Sequence, residues 1–307
     1  AAFAQTLEGV DPEHLIMTEP QQSPKDALAI DELRVQKIAL KTGVTLDYVE
    51  KGNKTGIPVI FLHGITDSWH SFESVFACLP PFIHGFAITQ RGHGDSEKPA
   101  EGYTPKHFAA DVAAFIRQKG LQSAIVVGHS MGGVHAQQFA LDYPKLAKGI
   151  VIIDSDASFI DNPGMPEFYR EVTKLEGPIT WQFMDEFQRS TLAKPIDSAY
   201  YRVLVEEGLK IPVKVFQAAL KGILQVDFVP QLKNIQCPVM IVWGDKDAVC
   251  FKKGQDLMAS NIKKSKLVIY EGAGHALHWE EPKRFADDLQ QFVQSMQFIR
   301  HETKRKK

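Results

Sequence analysis

Ala124-Ile-Val-Val-Gly128-His129-Ser130-Met131-Gly132-Gly133 is the stretch on which the reading of this chain turns. Its front half, Ile125-Val126-Val127, is a run of β-branched residues typical of a buried strand, and the pattern from Met131 to Leu141 is helical. A strand that passes straight into a helix at a serine forces that serine into a strained backbone, and glycines on either side let the two elements approach. The hydroxyl of Ser130 then stands clear of the sheet, beside the first amides of the following helix. The bland alternative is a Gly/Ser turn without chemistry; the strand–turn–helix context favours a nucleophile.

Working outward, Leu33–Leu40 and Val44–Val49 alternate like half-buried strands around a turn at Lys41-Thr42-Gly43. Ile57–Leu62 reads as a strand buried on both faces and ends at His63-Gly64, and a short strand at Phe86–Thr89 runs into Gln90-Arg-Gly-His-Gly-Asp-Ser96. A helix over Pro105–Lys119, the strand at Ser123–Val127, the helix from Met131 and a strand at Gly149–Ile153 then alternate. Such alternation predicts right-handed crossovers and a largely parallel sheet, with ligands bound beyond the carboxyl ends of its strands. His63, Ser130 and Asp154 all fall there.

Residues 156–236 break the alternation with proline-punctuated helical segments rich in aromatics and methionine, read as a helical cap. Most of those aromatics are expected to pack on each other, a minority lining an apolar pocket. Strands resume at Pro238–Trp243 and Lys266–Tyr270, and a helix from Pro282 to Phe298 buries Phe285, Leu289, Phe292, Val293 and Met296. The domains expected are therefore an extended arm over 1–32, a core over 33–155 and 237–299, the cap over 156–236, and a disordered basic tail over 300–307.

The 307 residues, 44% hydrophobic and 23% charged, suit a globular α/β protein with a sizeable core. A net charge of -2 argues against a nucleic-acid partner, and no apolar run is long enough to span a bilayer. Cys78, Cys237 and Cys250 are too few and too scattered for a disulfide framework, and no Cys/His spacing suggests a metal site. No cofactor is expected. Ala2-Phe3-Ala4 fits the small-x-small pattern at which signal peptides are cut, an indication of export.

A serine hydroxyl needs a base, and the base needs a carboxylate that holds its tautomer. Past successive predicted strands the chain offers Ser130, then Asp247, then His275, with Asp245 and Asp154 as rival acids. This order, with His63-Gly64, Gln90-Arg-Gly-His-Gly-Asp-Ser96, Gly128-His-Ser-Met-Gly-Gly133, Gly244-Asp-Lys-Asp247 and Gly274-His275 followed by Glu280 and Pro282, resembles the α/β-hydrolase superfamily, in its capped serine-hydrolase branch. The resemblance covers about Leu33 to Phe298. It implies an α/β-hydrolase fold: a mostly parallel eight-stranded sheet, helices on both faces and a helical cap inserted after the sixth strand. It implies Ser130 as nucleophile, His275 as base, Asp247 as acid with Asp154 next, and the N–H groups of Ile65 and Met131 as the oxyanion hole. Trp69, His129, Asp154, Trp181, Met184, Val249 and His278 are candidates for the pocket. Thr89 departs from the pattern, standing where relatives carry aspartate.

The function expected is hydrolysis of a carboxylic ester or lactone of a mainly apolar small molecule through an acyl-enzyme. Alternatives are C–C bond hydrolysis or cofactor-free perhydrolysis on the same triad, and a non-catalytic ligand receptor. Serine in place of a nucleophilic aspartate argues against dehalogenase and epoxide-hydrolase chemistry. The sequence leaves a homo-oligomer open.

Overall fold

The β-branched run leading to Ser130 is the fifth strand of one eight-stranded sheet: β1 Gln36–Ala39, β2 Thr45–Lys51, β3 Ile57–Leu62, β4 Ile83–Ile88, β5 Ala124–His129, β6 Ala147–Ile153, β7 Val239–Gly244 and β8 Ser265–Tyr270. The strands lie in the order β8-β7-β6-β5-β3-β4-β2-β1. β2 runs antiparallel to both its neighbours and every other pairing is parallel. This is a computed structural model; it describes residues 16–17 and 33–305, with side chains over 33–296. Apart from Ile16–Met17, which pair in parallel with Ile196–Asp197, the arm over 1–32 and its Ala2-Phe3-Ala4 motif lie outside the described residues.

Period-two alternation sends successive side chains of each central strand into two different cores. Ile60, Leu62, Val126, Ile150 and Ile241 face α2 (Pro105–Gln118) and α3 (Met131–Asp142), against Phe108, Phe115 and Phe139. Val59, Phe61, Val127, Val151 and Val242 face α1 (Glu73–Ala77) and α10 (Pro282–Arg305), against Phe72, Phe76, Phe285 and Leu289. Strands covered on both faces need continuous apolar sequence, which is why β3, β5, β6 and β7 stand out in this chain. Their shared direction gathers the exits of all the central strands on one edge.

Between β6 and β7 the chain forms α4 Met165–Thr173, α5 Trp181–Arg189, α6 Ser198–Gly208 and α7 Val213–Leu224. Phe168 stacks on Phe187 at 5.5 Å, and Phe216 sits edge-on to Phe168, Phe183 and Phe187 at 6.1–6.3 Å. These rings hold the insertion together. α8 (Lys252–Asn261) connects β7 to β8, and α9 (Leu277–Glu280) leads into α10.

Among the boundaries that differ from expectation, two have a clear physical cause. β4 begins at Ile83 rather than Phe86, because polar His84 hides a buried strand position; its imidazole Nε2 lies 2.7 Å from the Glu50 carboxylate. The backbone of α10 continues to Arg305 through most of the expected disordered tail. No glycine or proline interrupts that stretch, and Arg, Lys and Glu are good helix formers. Among the described residues, no helix is long and apolar enough to cross a membrane.

Candidate active site

Ser130 sits at φ 50°, ψ −115°, between β5 and the first turn of α3. The glycines around it are required by contact. A Cβ on Gly128 would lie 2.1 Å from the Gly132 carbonyl oxygen, and one on Gly132 would lie 2.2 Å from that of Leu62. The backbone is pinned by Ser130 N–H donating to Ile153 O at 2.9 Å and by Ser155 Oγ donating to Ser130 O at 2.7 Å. Thr66, Ser130 and Asp154 are the non-glycine residues with positive φ among those described, and each follows a central strand at the same sheet edge. Such strain persists only where surrounding structure over-determines it.

His275, 5% exposed, places Nδ1 at 3.0 Å from each carboxylate oxygen of Asp247. Asp247 Oδ1 also accepts the N–H groups of Val249 at 2.7 Å and Cys250 at 3.0 Å, so the acid cannot rotate without losing three donors. Asp245 instead accepts the Gly272 N–H at 2.6 Å, tying two loops together. Asp154 is fully buried and accepts the Gly244 N–H at 2.8 Å. Burial, and then the adjacent Asp247 charge, push its carboxyl well above the ordinary range. Of the three aspartates, His275 meets Asp247.

A buried polar layer lies behind this pair. His129 Nε2 donates to the His275 carbonyl at 2.9 Å, and its ring lies 5.0 Å from that of His275. Its Nδ1 has no hydrogen-bond partner and stands 4.0 Å from Asp67 Oδ2. Asp67 receives Gln188 Nε2 from α5 at 3.1 Å and lies 3.3 Å from Ser71 Oγ; burial raises its carboxyl to about 7. His278 Nε2 meets Ser71 Oγ at 3.0 Å, and burial lowers its pKa to about 3. His63 donates Nδ1–H to the Gly64 carbonyl at 2.7 Å and accepts the Gln90 N–H on Nε2 at 2.9 Å, which shapes the turn before Ile65 as a neutral imidazole. Thr89 fills the place of the family's aspartate differently, its hydroxyl accepting the Trp69 N–H at 3.1 Å.

The pocket candidates separate. His129, Asp154 and His278 are buried and hydrogen-bonded, to the His275 carbonyl, the Gly244 N–H and the Ser71 hydroxyl respectively. Met184 is fully buried against Gly208, packing α5 on α6. Trp181 is 44% exposed, with the Arg202 guanidinium 6.0 Å from its ring. Trp69 is stacked on His70 at 3.7 Å in the segment after β3, and half-buried Val249 donates its N–H to Asp247 in the loop after β7. Sequence reasoning does not reach Asp67 or Gln188, and reaches Glu280 only as a motif position after His275. Asp67 lies four positions beyond His63, a carboxylate in an otherwise neutral strand exit, but Gln188 comes from a distant helix with no local signal.

Among the described residues, Asp247, Cys250 and His275 bring possible metal-ligand atoms within 4.8 Å of one another. Metal ligation needs a thiolate. Burial and the nearby aspartates push the Cys250 thiol well up, and Sγ donates to Asp154 O at 3.4 Å, so this cluster suits a proton better than a cation. All three cysteines are free.

A serine on a strained strand-to-helix turn, a carboxylate–histidine pair and a mostly parallel sheet in this strand order define the class. The chain belongs to the alpha/beta hydrolase fold family, whose profile it matches over residues 57–282. It is 28% identical over 286 residues to a bifunctional esterase/perhydrolase of Acinetobacter calcoaceticus, covering 84% of this chain and 99% of that one. It is 26% identical over 261 residues to a 2-(acetamidomethylene)succinate hydrolase of Mesorhizobium japonicum, covering 81% and 92%. A solved esterase from Rhodococcus sp. is similar with a TM-score of 0.76 at 25% identity, over 85% of this chain and 99% of that one.

Proposed function

We propose that this chain is a serine hydrolase cleaving a carboxylic ester or lactone of a mainly apolar small molecule through an acyl-enzyme. The observation that carries the reading is the His275–Asp247 pair at 3.0 Å, whose His275 carbonyl is bound at 2.9 Å by His129, the residue before a serine held at positive φ. In this reading Ser130 Oγ attacks the carbonyl carbon while His275 Nε2 takes its proton. His275 returns that proton to the departing alcohol, and water then releases the acid by the same route in reverse.

Asp247 holds Nδ1–H and steadies the imidazolium. The N–H groups of Met131, at the head of α3, and Ile65, after the His63-Gly64 turn, would bind the oxyanion. The close approach of Gly132 to Leu62 O supports this, since it sets those two turns against each other. The α4–α7 insertion acts as the cap. Its rings mostly pack together, so the apolar preference rests on Trp69, Ile65 and Val249.

The test is Ser130→Ala. Turnover of p-nitrophenyl esters and labelling by a fluorophosphonate should both vanish while the fold is kept; persistent turnover by the purified variant refutes the assignment. Perhydrolysis on the same triad is the second reading, favoured by the relative named as an esterase/perhydrolase. Supplying hydrogen peroxide with a carboxylic acid and measuring peracid separates the two.

A further inference from the structure

The loop carrying His275 is not independent of the helical insertion. Glu280, in α9, accepts the Gly274 N–H on Oε2 at 3.0 Å. Its other oxygen, Oε1, accepts the N–H groups of Ala193 at 2.6 Å and Lys194 at 3.0 Å, in the segment between α5 and α6. A direct backbone tie runs alongside, from Ala276 N–H to Thr191 O at 3.1 Å. The residues on both sides of His275 are thus bound to one short piece of the insertion, Thr191–Lys194. The fit is tight, because a Cβ on Gly274 would lie 2.7 Å from both Ala193 N and Thr191 O. Just upstream, buried Gln188 reaches Asp67 in the loop beyond Ile65. The last turn of α5 and the segment after it therefore touch the loops of the expected oxyanion hole and of the base, respectively.

We propose that Glu280 is a positioning residue that clamps the His275 loop to residues 191–194 of the insertion, so that the base is in register with Ser130 only while that segment is seated. This rests on the serine-hydrolase reading above. The chemistry of the clamp requires a carboxylate. Three backbone donors converge on two oxygens, and an ionised carboxyl group is all acceptor. A glutamine offers one oxygen and one NH2, so it can satisfy Ala193 and Lys194 or Gly274, but sets donor against donor on the other side. The side chain of Glu281, the next residue, pairs with the Lys194 ammonium and the Arg284 guanidinium and makes no bond to the backbone around His275, which makes it an internal control.

The experiment compares Glu280→Gln, Glu281→Gln and Ser130→Ala in the full chain. It reads kcat and KM on a p-nitrophenyl ester, the rate of fluorophosphonate labelling, and the unfolding midpoint. Glu280→Gln is expected to lower kcat and the labelling rate on the order of 10- to 100-fold, the cost of a base misplaced by about 1 Å, with KM and the midpoint near the parent values. Glu281→Gln should leave all of them unchanged. A Glu280→Gln protein with parental kcat and labelling overturns the clamp, as does an equal loss in Glu281→Gln. Turnover by Ser130→Ala would instead overturn the serine-hydrolase reading, so the two failures are distinguishable. Should Glu280→Gln not fold, native-state hydrogen exchange of the parent decides: the amides of Ala193, Lys194, Gly274 and Ala276 must open together. Independent opening of the two pairs overturns the clamp.

Discussion

Asp67→Asn should make this protein more stable, and increasingly so as the pH rises. Asp67 is 3% exposed, held by Gln188 and Ser71, with His129 beside it and His275 and His278 close behind. Burial raises its carboxyl from 3.8 to about 7, against the opposing pull of its hydrogen bonds and of His275. The unfolded chain releases this proton near 3.8, the folded chain near 7. Between those values the native state holds a proton that the unfolded state has lost, so this group's contribution falls as pH rises through the window. At about 1.4 kcal/mol per tenfold change in proton affinity, the full window corresponds to about 4 kcal/mol.

The amide of asparagine is uncharged throughout and reproduces the protonated acid, its oxygen toward Gln188 and its NH2 toward Ser71. The stability of the variant relative to the parent should therefore climb by about 4 kcal/mol from about pH 4 to about pH 7 and then level off. Urea unfolding of both proteins across that range measures it directly. A difference that is flat, or that shrinks with rising pH, refutes the reasoning.

Three further outcomes follow from the geometry. Asp247→Asn should cost on the order of 10^3- to 10^4-fold in kcat because His275 loses the group that sets its tautomer. Asp154→Asn should leave kcat near the parent's, since a neutral side chain there still accepts the Gly244 N–H and asparagine tolerates its φ of 43°; steady-state kinetics on both variants checks the pair. Phe216→Ala, which empties the fully buried centre of the insertion's ring cluster, should destabilise by about 3–5 kcal/mol in urea unfolding without changing labelling of Ser130 by a fluorophosphonate.

The class of fold was legible in the sequence because its central strands are buried on both faces. That demands uninterrupted apolar runs, and the runs at Ile57–Leu62 and Val239–Gly244 are visible without coordinates. The elbow was legible for a related reason: backbone crowding at Gly128 and Gly132 admits no side chain, so the glycines had to appear in the primary structure. Where a polar residue is buried by a partner distant in sequence, that local signal fails. His84 obscured the start of β4 because its partner, Glu50, lies on another strand.

What the sequence by itself determined was the order of elements and the residue types delivered to one sheet edge, since both follow from periodicity and local sterics. Only the tertiary structure decided which aspartate meets His275, that the insertion's aromatics pack on one another, and that Gln188 of α5 and the segment after it are tied to Asp67 and Glu280 in the loops at this sheet edge. Those choices depend on hydrogen-bond distances of about 3 Å between residues tens to more than a hundred positions apart. Such distances are set by the packing of the whole chain, and no local pattern of residues encodes them.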